Sequence, residues 1–246
     1  MDRALYVSMT GATEALRQMA ANNNNLANAS STGFRAELVG AQAVQVNGPG
    51  LQSRFNVQML DQGWDSTQGS LSQTGQPLDV ALQNGAWLAV QGPDGKEAYT
   101  RGGSLHVDAY GQLLTPSGLQ VLGDGGPITV PAYSSITIGA DGTVSIVPAG
   151  QSANTQATVG RLRVVIADQS QIARGGDGLM HANPGVTLDP ASGKLVIPGA
   201  LESSNVNLSA SMIKMIQLAR QFDMQTRLMK SVEDDASAAS SIVRMG

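Results

Sequence analysis

Leu78-Asp79-Val80-Ala81-Leu82-Gln83-Asn84-Gly85-Ala86-Trp87-Leu88-Ala89-Val90-Gln91-Gly92-Pro93-Asp94-Gly95 holds two short apolar runs followed by a Gly-Pro-Asp-Gly sequence. Residues 78–82 and 86–90 read as strands, and Gly92 to Gly95 as the turn that follows them. Further short strands are expected at 97–100, 104–107, 112–115, 119–122, 128–130, 136–139, 143–147 and 161–167. Turn chemistry separates many of them, at 108–111, 116–118, 124–126, 141–142 and 192–193. Arg161-Leu162-Arg163-Val164 alternates as a half-exposed strand does. Strand follows strand with no helix between, which argues against a parallel βαβ sheet and for an antiparallel all-β domain over 77–198.

Outward from this domain the period changes. Leu5, Met9, Ala12, Leu16, Met19 and Leu26 follow heptad spacing, with only Asn23 polar on the seam, and predict an amphipathic helix. It stops in Asn28-Ala29-Ser30-Ser31-Thr32-Gly33, where Gly33 can take positive φ. The asparagines from 22 to 25 are poor helix formers, so its last turns are expected to be weak alone. Toward the other end, Leu208, Met212, Met215, Ala219, Phe222, Met229, Ala236 and Val243 fall on one heptad register, with Ser203, Ser204, Asn205 and Asn207 as candidate N-caps. Six of the ten methionines lie in these two segments, where thioethers fill a core or let one face pack against several neighbours. The expected class is α+β, with N- and C-terminal amphipathic helices forming a coiled-coil-like inner layer and a central antiparallel all-β domain outside it. The expected divisions are 1–35 helix and turn, 36–76 extended connector, 77–198 β domain and 199–246 C-terminal helix.

Composition narrows the function. Of 246 residues, 15 are basic and 19 acidic, a net charge of −4, and only 14% are charged, where about 25% is usual. No basic run offers phosphate contacts, which argues against nucleic acid. Apolar runs fall well short of the roughly 18 residues of a membrane span. The opening from Met1 to Met9 lacks a positive n-region and a continuous apolar run, so no ordinary secretory signal is expected. With no cysteine there is no disulfide framework and no thiolate nucleophile.

No catalytic, cofactor or metal site is expected. His106 and His181 each stand with no second histidine or cysteine at metal-ligand spacing. Gly123-Asp124-Gly125-Gly126 lacks the spacing of a phosphate loop and reads as a turn. Glu233, Asp234 and Asp235 read as the solvated face of a helix, and Asp79 has no partner carboxylate in sequence for a glycosidase pair. An enzyme acting on peptidoglycan therefore finds no support. A secreted carbohydrate-binding or adhesive β domain would need an aromatic platform, for which Trp64 and Trp87 are the only tryptophans.

Asn24-Asn25-Leu26-Ala27-Asn28-Ala29-Ser30-Ser31-Thr32-Gly33-Phe34-Arg35 resembles the N-terminal signature of the flagellar rod and hook proteins. Gly199-Ala200-Leu201-Glu202-Ser203-Ser204-Asn205-Val206 resembles their second signature, and Ala219 to Gln225 fits the helix after it. Pro77 to Leu82 and Tyr99-Thr100-Arg101-Gly102-Gly103 are similar to the start of their β domain. Within that family the opening nonapeptide and the length are most like the proximal rod members. The resemblance implies a structural subunit of the periplasmic rod, a helical tube that transmits torque. It also implies export by the flagellar type III apparatus without a cleaved signal peptide. Partners would be copies of the chain and other proximal and distal rod subunits; a distal rod or hook subunit is the alternative. The assembly residues expected are Leu5, Met9, Leu16, Met19, Leu26, Met212, Met215, Phe222 and Met229. Asn25, Asn28, Thr32, Gly33 and Phe34 should set the first turn, and Gly199, Leu201, Glu202, Ser204, Asn205 and Val206 form the second signature.

Overall fold

Both chain ends are helical, as their apolar spacing predicts: α1 runs Asp2–Ala27 and α2 Leu208–Met245. The computed structural model describes residues 2–45, 55–152 and 155–245. The chain divides into two compact units. One comprises Met1–Ala27, Glu37–Gly63 and Val206–Gly246, the other Asn28–Ala36 and Trp64–Asn205. Among the described residues no helix is long and apolar enough to cross a membrane.

In the first unit α2 starts at an Asn207 cap, whose Oδ1 accepts from Ala210 N at 3.0 Å. The two helices are antiparallel: Asn22 Nδ2 donates to Ser211 O at 2.8 Å, and Gly11 lies against the Gln225 side chain. The inward row of α2 is Met215, Leu218, Phe222, Gln225, Met229, Val232 and Ala236, a strict alternation of three and four, all buried or half-buried. The expected register shares Met215, Phe222, Met229 and Ala236 with this row, but its Leu208, Met212 and Ala219 are exposed. The row passes instead through Leu218, Gln225 and Val232, and a glutamine on the seam hides it from an apolar count. The Val243 side chain lies outside the described residues. On its side α1 buries Gly11, Ala12, Glu14, Ala15, Ala21 and Asn22, so mostly small residues on one helix receive large ones from the other.

The asparagine run stays helical because its side chains find tertiary partners. Beside the Asn22 bond, Asn25 donates to Glu37 O at 2.9 Å and accepts from Glu37 N at 2.8 Å. These two bonds anchor the start of β1, Glu37–Gln45, which pairs with β2, Phe55–Trp64, as a two-stranded sheet. An extended connector was expected here. The described side chains of β1 are half-buried or exposed on both faces, so no apolar alternation marks the strand in the sequence.

The second unit holds the remaining strands. They are β3 Leu71–Gln73, β4 Val80–Leu82, β5 Ala86–Gln91, β6 Glu97–Thr100, β7 His106–Val107, β8 Leu113–Leu114, β9 Leu122–Gly123 and β10 Gly126–Pro127. After them come β11 Tyr133–Ile138, β12 Thr143–Pro148, β13 Ala157–Arg161, β14 Val164–Ile166, β15 Ile172–Arg174, β16 Met180–Ala182, β17 Val196–Pro198 and β18 Ala200–Glu202. A five-stranded sheet has the order β14-β5-β6-β16-β15, and a three-stranded sheet the order β11-β12-β13. Their pairings are antiparallel, as the strand succession requires. The unit closes on itself through its last strands. Val196 to Pro198 pair with Leu82 to Val80, and Ala200 to Glu202 with Gln73 to Leu71.

Strand β5 explains why its sequence is apolar without alternation. Ala86, Leu88 and Val90 enter one core with Val80, Leu82, Leu113, Val144, Ile146 and Leu162. Trp87 and Ala89 enter a second core with Trp64, Tyr99, Val165, Ile172 and Met180. A strand covered on both faces is apolar throughout. Several expected strands change; 119–122 is reduced to isolated bridges at Gln120 and Val121 ahead of β9. The segment 161–167 breaks at Leu162-Arg163, where Leu162 N turns to Gly142 O and Arg163 N to Leu122 O, both at 2.9 Å. In 128–130 only Thr129 is bridged, to Gln112. Gly123-Asp124-Gly125-Gly126 is the tight turn between β9 and β10.

Burial, and Glu97 beside it, push the Tyr99 phenol up to about 12. An unfolded tyrosine ionises near 10, so the unfolded chain loses this proton first and stability falls as pH rises from about 10 toward 12. In an absorbance titration at the tyrosinate band, one of the four tyrosines is expected to ionise near pH 12, and Tyr99→Phe to remove that step. Survival of the step in the variant would refute the assignment.

Candidate functional site

The two signature segments meet inside the β unit, where they hold three buried charges. Glu202, on β18, is fully buried. Its Oε1 accepts from Arg35 Nη2 at 2.7 Å and from Gly69 N at 3.0 Å. Its Oε2 accepts from Arg101 Nη2 at 2.6 Å and Nε at 3.0 Å. Arg101 completes its fork on carbonyls, with Nη1 to Gln83 O at 3.1 Å and Ala86 O at 2.5 Å, and Nη2 to Leu82 O at 2.9 Å. Its guanidinium also lies 5.6 Å from the Trp87 ring centroid. Arg35 sends Nη1 to Thr67 O. Burial, and Arg101 next to it, pull the Arg35 pKa below its ordinary value, and Glu202 opposes them.

The backbone around this triad is drawn equally tight. Gly33 N donates to Glu202 O at 2.8 Å. Gly33 has φ +69°, and a Cβ there would sit 2.2 Å from the Arg101 carbonyl carbon and oxygen, so only glycine fits without a shift. Gly103 is similarly constrained, since a Cβ would lie 1.7 Å from Val80 O. Asn205 joins the segment ends: Nδ2 donates to Asp65 O at 3.1 Å and Thr67 O at 3.0 Å, and Oδ1 accepts from Ala36 N at 2.7 Å. Arg174 covers Phe34 at 4.5 Å from the ring centroid and donates to Arg35 O. Each partner of the clasp comes from a different part of the sequence, near residues 33–36, 65–69, 101 and 202–205.

The expected site residues are distributed as follows. Gly33, Phe34, Glu202 and Asn205 come together in the clasp. Asn28 O and Oδ1 accept from Ser31 N and Oγ, at 3.1 and 3.0 Å, and shape the turn. Thr32 O lies next to Gly102. Gly199, with φ +66°, donates from N to Asp79 O and accepts at O from Thr74 N, both at 2.8 Å, while Leu201 pairs with Ser72. Ser204 and Val206 are half-buried and flank Asn205. Asn25 belongs to the first unit, where it holds Glu37. Among the helix residues, Met19, Leu26, Met215, Phe222 and Met229 are half-buried, whereas Leu5, Met9, Leu16 and Met212 are exposed.

Sequence reasoning did not assign the ionic role of Arg35, Arg101 and Glu202. The available signal was scarcity: in a chain with few charges, Arg35, Arg101 and Glu202 are each the single charged residue of their quoted segment. Trp64 and Trp87 are only 5% and 2% exposed and meet edge to face at 5.1 Å, so they present no open ring to a sugar. His106 is exposed, and His181 Nε2 contacts Asp177 at 2.9 Å. Among the described residues no group of three metal-capable side chains is assembled.

Removing one member of a buried ion group leaves its partners uncompensated and costs about 3–5 kcal/mol. Glu202→Gln is therefore expected to lose that much stability in a urea titration read by tryptophan fluorescence. A loss below about 1 kcal/mol, typical of a solvated pair, would show that the arginines do not depend on it. Gly33→Ala, which combines strained φ with backbone overlap, is expected to cost more than about 1 kcal/mol.

Comparison with known proteins places this architecture. Residues 81–146 match the family described as flagellar hook protein FlgE/F/G D1 domain, and residues 197–242 match flagellar basal body rod FlgEFG protein C-terminal. The chain is 46% identical to the flagellar basal-body rod protein FlgF of Escherichia coli K12 and 44% to that of Salmonella typhimurium LT2, in each case over the whole of both chains. Identity to the flagellar basal-body rod protein FlgG of Buchnera aphidicola subsp. Acyrthosiphon pisum is 31% over 91% of this chain and 93% of that one. With its β core and C-terminal segment both matched and its relatives aligned end to end, the chain belongs to the flagellar basal-body rod protein FlgF family.

Proposed function

We propose that this structural rod subunit assembles through its terminal helices, with copies of itself and with other proximal and distal rod subunits, into the helical tube that carries torque. The observation that supports this reading most is a second apolar face on each helix. Leu5, Tyr6, Met9 and Leu16 on α1 are 38%, 61%, 47% and 48% exposed. On α2, Leu208, Met212, Ile213, Ile216, Met224 and Leu228 range from 48% to 59%. Apolar area of this extent on neighbouring turns marks an interaction surface. Heterologous contacts that do not close into a ring generate a helical tube.

The helix lengths support the same reading. α2 has 38 residues and α1 has 26, so at 1.5 Å per residue α2 is longer by about 18 Å. Helical stability comes mainly from packing of an apolar face, and neighbouring subunits would supply what α1 alone does not. A periplasmic position in the rod and export through the flagellar type III apparatus, without a cleaved signal peptide, belong to the same proposal. A chain without cysteines and with helices that gain order on assembly suits that route. In this reading the role is mechanical, and the Glu202 ion group serves it by holding the β unit together.

Exposed and inward positions should separate in one experiment. Leu16→Asp and Ile216→Asp are expected to leave the thermal melt of the purified chain nearly unchanged, since exposed substitutions stay within about 0.5 kcal/mol. Both should abolish incorporation into purified basal bodies and motility in soft agar. Phe222→Asp, on the inward row, should lower the melt as well. Normal incorporation of the two exposed variants would refute the interface.

A further inference from the structure

A pocket of about 460 Å³ opens in the β unit, walled by Arg35, Arg101, Trp64, Trp87, Asp168 and neighbouring polar residues. Its size falls in the range of small-molecule sites, about 300–1,000 Å³. Two of its wall residues carry buried donors that meet no acceptor in the chain, Trp64 Nε1 and Arg35 Nε. Trp64 and Arg35 are 5% and 2% exposed, so bulk water does not solvate these donors freely. A buried donor without a partner costs about 1–3 kcal/mol, and native structures rarely tolerate one unless an ion, a water or a ligand completes it.

The unmet demand has a definite sign. Both orphan atoms are N–H groups, so the missing group is an acceptor. Behind them, Arg35 and Arg101 share one carboxylate, Glu202, so these three buried groups sum to one positive charge, while Asp65, outside the pocket wall, acts on Arg35 from farther off. A single negative charge on a planar pair of oxygens balances that positive charge and suits indole and guanidinium donors. The one acid on the wall, Asp168, is held by its own turn: it accepts from Ser170 N at 2.8 Å and Ser170 Oγ at 2.6 Å. The Ser170 hydroxyl and N–H keep it ionised, below the usual carboxylate range. A dianion would meet that charge with greater repulsion than a monoanion.

We propose that this pocket is a binding site for a carboxylate, whose oxygens accept from Trp64 Nε1 and Arg35 Nε. The carboxylate comes either from a free small acid or from an acidic side chain of another polypeptide, and the inference does not rest on the rod reading. Trp87 serves as the internal reference, because its Nε1 already donates to Ala167 O at 3.2 Å.

The two tryptophans of the full ¹⁵N-labelled chain give two indole N–H signals, assigned with Trp64→Phe and Trp87→Phe. Sodium acetate, and separately a blocked peptide containing one glutamate, are titrated against sodium chloride at matched ionic strength. The Trp64 signal is expected to move saturably with carboxylate and not with chloride, while the Trp87 signal shifts far less. Half-saturation at least tenfold lower for the peptide assigns the source to a polypeptide; comparable values assign it to a free acid. Asp168→Asn, which removes the competing charge but keeps an acceptor for Ser170, is expected to lower half-saturation several-fold. No movement of the Trp64 signal, equal movement with chloride, or no tightening in Asp168→Asn would overturn the proposal and leave a pocket that holds only water.

Discussion

Two guanidinium groups withdrawn from water need a counter-charge, and here one carboxylate supplies it to both. Glu202 divides its oxygens between Arg35 and Arg101, and the remaining donors of Arg101 are met by three carbonyls from the β4–β5 connection. Such an arrangement contributes little net stability compared with an apolar core of equal volume, but its partial removal is expensive. Its consequence is therefore one of specification. Strand β18 can lie in its observed register only if the first signature turn, the β6 end and the second signature are all in place.

The same requirement organises the neighbouring backbone. Gly33 has no side chain because Arg101 main chain occupies that volume, and Asn205 answers an N–H on one segment with carbonyls on another. Residues over 160 positions apart are thereby held at hydrogen-bond distance, and β17 and β18 return to pair with β4 and β3. The β unit is thus built from contacts distant in sequence, so a fragment limited to residues 77–198 would lack Arg35, Glu202 and β3.

The helices follow a different logic. In the first unit the contact between α1 and α2 uses small residues on α1, which allows close approach, and leaves larger apolar side chains turned outward on both helices. A heptad count detects that a helix is amphipathic but cannot divide two apolar rows between an intrachain and an interchain partner. For that reason Met215, Phe222 and Met229 fall on the inward side and Leu5, Met9, Leu16 and Met212 on the outward side, although all were legible as apolar heptad positions. The inward row also contains Gln225, whose amide packs on Gly11, and polarity alone removed it from any apolar pattern.

Local chemistry was readable wherever the cause was local. Periodicity determined the helices, turn residues determined the hairpins, and strand following strand determined an antiparallel β unit. Two-sided burial of β5 was consistent with its unbroken apolar run. The β1–β2 ribbon escaped because the described side chains of β1 are half-buried or exposed, so no alternation was imposed on them. The class of fold and the amphipathic ends were legible in the residue order, because both arise from the period of neighbouring residues. The union of Arg35, Arg101 and Glu202 in one charge group was not legible there, because Coulombic pairing depends on distance in space and the chain brings those residues together only when the sheet closes.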